Sequence, residues 1–244
     1  MILTVDIGNT FIKVAVFEEV ELVEKFVFTT EEVEKKILKI FKKYPNLSAA
    51  IYSSVGKKTD LLDESISKHV KITKIDAGFN FPFINKYETP KTLGVDRMVL
   101  ASGATLAFAN KNCLVIDAGT CVTYDFISDQ NEYLGGAISP GIRLRYESLH
   151  NFTAKLPLLE KKNPDHYIGK NTNEAIHSGV IIGLLNEIEG FISKYSVNYQ
   201  DLTVILTGGD ANFLANQLKS TIFADENFLL KSLQQLHSYS LQND

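Results

Sequence analysis

One short pattern occurs twice in this chain and constrains its fold more than anything else. An apolar strand runs into Asp-x-Gly, then hydroxyl or amide residues, then a second apolar strand. The first copy is Ile2-Leu3-Thr4-Val5, then Asp6-Ile7-Gly8-Asn9-Thr10, then an apolar run through Phe11, Ile12, Val14, Ala15, Val16 and Phe17. The second is Leu114-Val115-Ile116, then Asp117-Ala118-Gly119-Thr120, then the alternating Val122, Tyr124 and Phe126. Each copy reads as a β-hairpin with a polar tip. Their interval is about half of the 244 residues, far beyond the roughly 20–50-residue periods of solenoids. The repeat therefore predicts a duplicated α/β domain, residues 1–112 and 113–244, forming two lobes with a central cleft for a ligand.

The remaining pattern fits that plan. Residues 31–43 place Val33, Ile37, Ile40 and Phe41 at helical spacing, with two threonines ahead as N-caps and Pro45 behind. Residues 49–53 read as a strand, giving a β-β-α-β progression, and residues 76–93 read as loop. A helix is expected from near Asp96 through Ala109, another over residues 173–195, and a strand over residues 202–206. Thr207-Gly208-Gly209-Asp210 then turns into a last helical stretch.

Bulk properties narrow the function. A net charge of −4 argues against a general nucleic-acid binder. Cys113 and Cys121 have no metal-ligand spacing and read as buried core thiols. The five histidines form no HxxxH or HExxH pattern, and neither a Walker-A loop nor a GxGxxG fingerprint is present. The first residues form a strand with no basic segment or long apolar run ahead of it, so no signal peptide and no membrane span are expected, and the chain reads as cytoplasmic.

The Asp-x-Gly turns are the residues most suited to chemistry. Glycine at a tight strand turn lets backbone approach a phosphate, and successive N–H groups can form an anion-binding nest. An aspartate there repels phosphate directly but suits a bound Mg²⁺, which takes oxygen ligands. One such turn could be an ordinary hairpin, since Asp, Gly and Asn are common in turns. Two in matching order point to a clamp on a polyphosphate. Leu93-Gly94-Val95-Asp96-Arg97 sets an acid and a base where a helix begins. Asp96 reads either as a helix cap or as a base toward a substrate hydroxyl, and Arg97 either as a surface partner or as a fork for a substrate anion. Residues 135–141, GGAISPG, read as a glycine-rich loop, and Gly208-Gly209-Asp210 either borders an adenosine or is a plain turn.

Taken in order, DIGNT (6–10), GVDR (94–97), DAGTCVTYD (117–125), GGAISPG (135–141), TAKLP (153–157), GKNTNEAIHSG (169–179) and LTGGD (206–210) resemble the motifs of type III pantothenate kinases. The resemblance spans nearly the whole chain. It implies the duplicated ribonuclease-H-like fold of the acetate/sugar kinase–Hsp70–actin superfold and the phosphorylation of pantothenate by ATP, the first step of coenzyme A synthesis. It implies a homodimer, and Mg²⁺ together with a monovalent cation, K⁺ or NH₄⁺. By position it assigns Asp6, Ile7, Gly8, Asn9, Thr10, Phe11, Ile12 and Lys13 to an ATP-phosphate loop, with Asp6 serving Mg²⁺, and Thr120 to the ATP phosphates. It assigns Asp96 as the general base; Tyr87, Gly94, Val95, Asp96, Arg97 and Thr172 to pantothenate, Thr172 from the neighbouring subunit; and Asp117 to the monovalent cation. Residues 143–150 receive no role. The competing readings are another small-molecule kinase of the superfold, a non-catalytic ATP-binding regulator, and an actin-like assembly protein.

Overall fold

The computed structural model describes residues 1–8, 11–54 and 60–243. The chain forms two compact units. The first comprises Met1–Ala109, Asn131–Tyr133 and the chain from Asn227 onward; the second comprises Asn110–Gln130 and Leu134–Glu226. The single division expected at 112/113 thus becomes an interleaved one, because the C-terminal helix packs with the N-terminal sheet.

In the first unit β1 (Ile2–Ile7), β2 (Ile12–Glu18) and β3 (Glu21–Phe28) form an antiparallel meander. After α1 (Val33–Lys43), strand β4 (Ala49–Ser54) lies parallel to β1; α2 (Asp60–Ser67) leads to β5 (Lys71–Ile75), which is parallel to β4. The sheet order is β3-β2-β1-β4-β5. Because side chains alternate along a strand, β1 sends Leu3, Val5 and Ile7 into a core with Val33, Ile37, Ile40, Phe41, Leu62 and Ile66 of α1 and α2. The opposite face is covered by helices later in the chain. β6 (Ile84–Asn85) and α3 (Val95–Ala107) follow. Ile51 and Ile75 of the sheet meet Val99 of α3 and, from the C-terminal helix, Leu233 and Leu236.

The second unit repeats the theme. β7 (Cys113–Ala118) and β8 (Cys121–Ile127) form the second hairpin, followed by β9 (Glu132–Pro140) and α4 (Ile142–Asn151). α5 (Thr172–His177) continues through a π turn at Ser178–Ile182 into α6 (Gly183–Asn198). β10 (Thr203–Thr207) then lies parallel to β7. The final helical stretch resolves into α7 (Ala211–Ala215), β11 (Phe223–Ala224) and α8 (Phe228–Asn243), the last belonging to the first unit. Leu114, Ile116 and Ala118 share a core with Ile176, Val180, Ile181, Leu184, Ile188 and Ile192. The run Thr172–Asn198 is long and apolar enough to cross a membrane by length and composition alone, a test that core helices of soluble proteins also pass.

Two sequence expectations need correction. Residues 135–140 of GGAISPG lie in strand β9, not in a loop. Gly136 is required there because a Cβ would overlap the Tyr124 carbonyl of β8. Cys113 is buried, but Cys121 is exposed. It opens β8 on the side opposite Val122, which is 1% exposed, so alternation turns its thiol outward.

Candidate functional site

In the first unit Asp6 ends up in an unusual place for a carboxylate. Alternation that buries Val5 and Ile7 in the α1/α2 core leaves Thr4 and Asp6 on the other face. Asp6 is only 8% exposed, and its cross-strand neighbour in β2 is Lys13. Burial pushes its carboxyl from 3.8 up to about 6; Lys13 opposes that rise, and the charge of Asp96 adds to it. The two aspartates, ninety residues apart in sequence, therefore lie within electrostatic reach of one another. The turn beyond Asp6 is closed by the Gly8 N–H donating to the Phe11 carbonyl at 3.2 Å. Ile7 and Ile12 are core residues, so only their backbone can serve a ligand, while Phe11 is 49% exposed. Asn9 and Thr10 lie outside the described residues.

The GVDR segment forms the start of α3, with Gly94 as the N-cap. Asp96 occupies the first turn, where the helix dipole favours negative charge. The backbone N–H of Arg97 donates to Asp96 Oδ1 at 2.9 Å, which holds the carboxylate against the helix start. A Cβ at Gly94 would overlap that same oxygen, so only glycine leaves room for this rotamer. Arg97 is 6% exposed, and its guanidinium sits 5.9 Å from the Tyr87 ring centroid. Tyr87 in turn leans on Tyr133. Asp6, Lys13, Tyr87, Gly94, Asp96 and Arg97 thus gather in one unit; Val95 instead packs its side chain against the Ile51–Val99 cluster.

In the second unit the turn after Asp117 is fixed by backbone contacts. Gly119 N–H donates to the Cys121 carbonyl at 2.9 Å, and Gly141 N–H donates to the Thr120 carbonyl at 3.0 Å. Gly208, at φ +96°, brings its backbone so close that a Cβ would overlap both Asp117 Oδ1 and the Ala118 carbonyl. The Asp210 N–H donates to that carbonyl at 2.9 Å. Asp117 Oδ1 and the Ala118 carbonyl therefore both lie against the Gly208 backbone at the LTGGD turn. Thr120 is exposed at the tip. Thr172 is also exposed, as the first residue of α5 after the N-cap Asn171, whose side chain accepts from Glu174 N–H.

Sequence reasoning gave residues 143–150 no role, yet Arg145 ties this region together. It donates to the Pro140 carbonyl at 2.8 Å, to Ser139 Oγ at 2.9 Å and to Glu187 of α6 at 2.6 Å. Tyr124 donates its hydroxyl to the other Glu187 oxygen at 2.9 Å. Burial pushes the Glu187 carboxyl up, but hydrogen bonds from Arg145, Tyr124 and Ser139 outweigh it and hold it below its ordinary value. The network anchors the end of β9 to α6 just where Gly141 meets the second turn. No local sequence pattern links residues 42 positions apart, so only the fold reveals the pair.

Comparison with known proteins agrees with the motif order. The sequence pattern of the type III pantothenate kinase family matches residues 2–194. The type III pantothenate kinase of Flavobacterium johnsoniae is 57% identical over 244 residues, covering all of both chains. That of Bacteroides fragilis is 40% identical over 242 residues, covering 98% of each. Among solved structures, one described as a Baf family transcriptional activator from Campylobacter jejuni superposes with a TM-score of 0.65 at 21% identity, covering 98% of this chain and 99% of that one. One described as an N-acetylmannosamine kinase from Listeria monocytogenes gives 0.56 at 13% identity, covering 99% of each. At such identities the structural matches show the fold alone, the sugar-kinase and actin-like superfold.

Proposed function

The chain belongs to the type III pantothenate kinase family, and from that premise we infer how its residues move a phosphoryl group from ATP to pantothenate, the first step of coenzyme A synthesis. The observation that carries the reading is the pairing of Asp6 with Asp96. One acid at a phosphate turn and one at a helix start, close enough to influence each other, supply a nucleotide side and an acceptor side in one unit.

In this reading each Asp-x-Gly turn, residues 6–13 in the first unit and Thr120 in the second, offers backbone N–H groups to phosphate oxygens. Asp96 accepts the proton of the primary hydroxyl of pantothenate; that oxygen attacks the γ-phosphorus in line, and the bond to the β-bridging oxygen breaks to release ADP. Arg97 pairs with the pantothenate carboxylate through its guanidinium fork, steadied by the Tyr87 ring. Gly94 and Val95 line the acceptor with backbone.

The donor set fits the implied cations. Among the described residues no group of three or more His, Cys, Asp or Glu could cage a metal. Mg²⁺ takes one or two carboxylates and completes its shell with water and phosphate oxygens, and in this reading Asp6, buried at the phosphate turn, supplies a carboxylate. When bound, Mg²⁺ neutralises charge on the β- and γ-phosphates. The oxygens of Asp117 and Ala118 at Gly208 suit a monovalent cation, K⁺ or NH₄⁺.

The active species in this reading is a cytoplasmic homodimer. Ala175, Gly179, Gly183 and Gly190 are exposed along the run Thr172–Asn198, and a Cβ at any of the three glycines would meet nothing within 4 Å. Such a face lets a second copy's backbone approach, and it begins at Thr172, the residue assigned to the neighbouring subunit's pantothenate. Light scattering on Gly183→Leu should then show monomer, with a raised KM for pantothenate.

A coupled ADP-release assay with ATP and pantothenate, run in potassium and again in sodium, tests the whole scheme. Turnover that needs both pantothenate and potassium (or ammonium) supports it. Nucleotide binding without turnover in either salt overturns it.

A further inference from the structure

Asp6 and Asp117 each have a hydroxyl neighbour on the adjacent parallel strand that neither composition nor motif order suggested. β4 sends Ala50 and Tyr52 into the α1/α2 core, so Ile51 and Ser53 face the other way, as Asp6 does. The parallel register sets Asp6 directly beside Ser53. In the second unit Leu114, Ile116 and Ala118 of β7 and Val204 and Leu206 of β10 share one core, leaving Asp117 and Thr207 on the opposite face, again side by side. Ser53 and Thr207 are each 1% exposed. Neither hydroxyl has a hydrogen-bond partner among the described residues. A buried hydroxyl without a partner costs stability, and here the cost recurs at equivalent positions of a duplicated unit, each time beside the aspartate of the phosphate turn.

We propose that Ser53 and Thr207 are ion-positioning residues. Each hydroxyl accepts a hydrogen bond from a water in the hydration shell of the cation attracted by its neighbouring aspartate: Mg²⁺ beside Asp6 and the monovalent cation beside Asp117. The proposal rests on the cation assignments made above. A serine or threonine oxygen is suited to this because it accepts from water without adding charge, and Mg²⁺ keeps several of its waters when bound. Thr4 provides an internal control. Its hydroxyl is also buried without a partner, but it lies two residues earlier on the same face of β1 and pairs with Ile51 rather than Ser53. It is therefore set back from Asp6 by roughly 6–7 Å of strand.

The test compares Ser53→Ala, Thr207→Val, Thr207→Ser and Thr4→Val by cation titration and by melting. Loss of one hydrogen bond to an ion-bound water should raise the Mg²⁺ half-saturation of Ser53→Ala about tenfold and leave the potassium value unchanged. Thr207→Val should do the reverse, Thr207→Ser should match wild type, and Thr4→Val should leave both titrations unchanged. In a Tris buffer free of potassium, sodium and ammonium, with the free acid of EDTA to remove Mg²⁺, Ser53→Ala and Thr207→Val should melt no lower than wild type, since each loses an unpaired polar atom. The rise in melting temperature that Mg²⁺ gives the ADP complex should shrink for Ser53→Ala alone. Wild-type half-saturations in both variants would overturn the proposal. So would a lowered melting point in EDTA, which marks a hydroxyl needed for folding. If wild type fails to phosphorylate pantothenate, the underlying reading falls, but the Mg²⁺–ADP melting comparison still decides whether Ser53 serves a bound cation.

Discussion

The two hairpin turns share a grammar and differ in how they are held. The first sets its aspartate deep, 8% exposed and influenced by a second acid, so that the carboxyl rises to about 6. The second holds a less buried aspartate against neighbouring backbone: Gly208 approaches it, and Gly119, Gly141 and Asp210 each donate an N–H to a carbonyl of the turn. One turn thus carries an electrostatic strain and the other a geometric constraint. A buried carboxylate that resists ionisation gains most from a divalent cation, which replaces its lost hydration with a concentrated charge. A less buried aspartate beside a single backbone carbonyl suits an ion of single charge. Duplication supplied two equal frames, and their surroundings made them unequal.

Asp6→Asn attacks that contrast most strongly. Removing the carboxylate should lower kcat by about 10³-fold, as expected when a charge-stabilising contact to the reacting phosphates is lost. It should also make the cation-free protein more stable. Because the folded carboxyl titrates near 6 rather than 3.8, its contribution to stability is fully present below pH 4 and is lost as pH rises through 6. The variant stays neutral throughout, so its stability advantage should open between pH 4 and 6 and reach, at most, roughly 3 kcal/mol at neutral pH. Equal stabilities of variant and wild type across that range in EDTA would show that Asp6 is not strained by burial.

Asp96→Asn separates the two acids. Loss of a general base should reduce kcat by roughly 10²–10⁴-fold with ATP binding retained. It should also lower the Asp6 carboxyl only a little, because burial, the larger cause of its rise, remains when the like charge is gone. A variant with near-wild-type kcat would remove Asp96 from the base role.

At the second turn, Asp117→Asn should weaken potassium activation about ten- to a hundredfold and change cation-free stability little. A stability gain as large as that of Asp6→Asn would erase the contrast between the turns.

How much of this could be read from the chain alone follows from the same contrast. The hairpins were legible because Leu3, Val5 and Ile7 alternate with Thr4 and Asp6, and because Asp-x-Gly punctuates both copies. GVDR was legible as a helix start, but its nearness to Asp6 was not, since nothing local links them. β3 carries a weak strand signal because Glu21, Glu24 and Lys25 interrupt its apolar pattern on an edge strand. The place of α8 in the first unit depends on long-range packing by Leu230, Leu233 and Leu236. Ser53 and Thr207 are invisible until strand register is known, because a lone hydroxyl at the end of an apolar strand resembles an ordinary turn residue. The glycines of residues 135–141 suggest a loop because the residue that signals close strand approach is the same one that signals a turn.

The smallest expected effect lies in the two cysteines, which bracket the second turn from inside and outside. Cys113 begins β7 at 1% exposure, and burial pushes its thiol up to about 12, so almost no thiolate forms at neutral pH. Cys121 begins β8, exposed, directly after Thr120. Brief treatment of the native protein with iodoacetamide should label Cys121 and spare Cys113, as peptide mass spectrometry would show, and both should react after unfolding. Because the Cys121 carbonyl closes the turn while its side chain points outward, the label should slow turnover only about two- to threefold, acting through bulk beside the phosphates, and bound Mg²⁺–ATP should protect the thiol. Labelling unaffected by nucleotide would place the phosphates away from the second turn and leave the first to hold them alone.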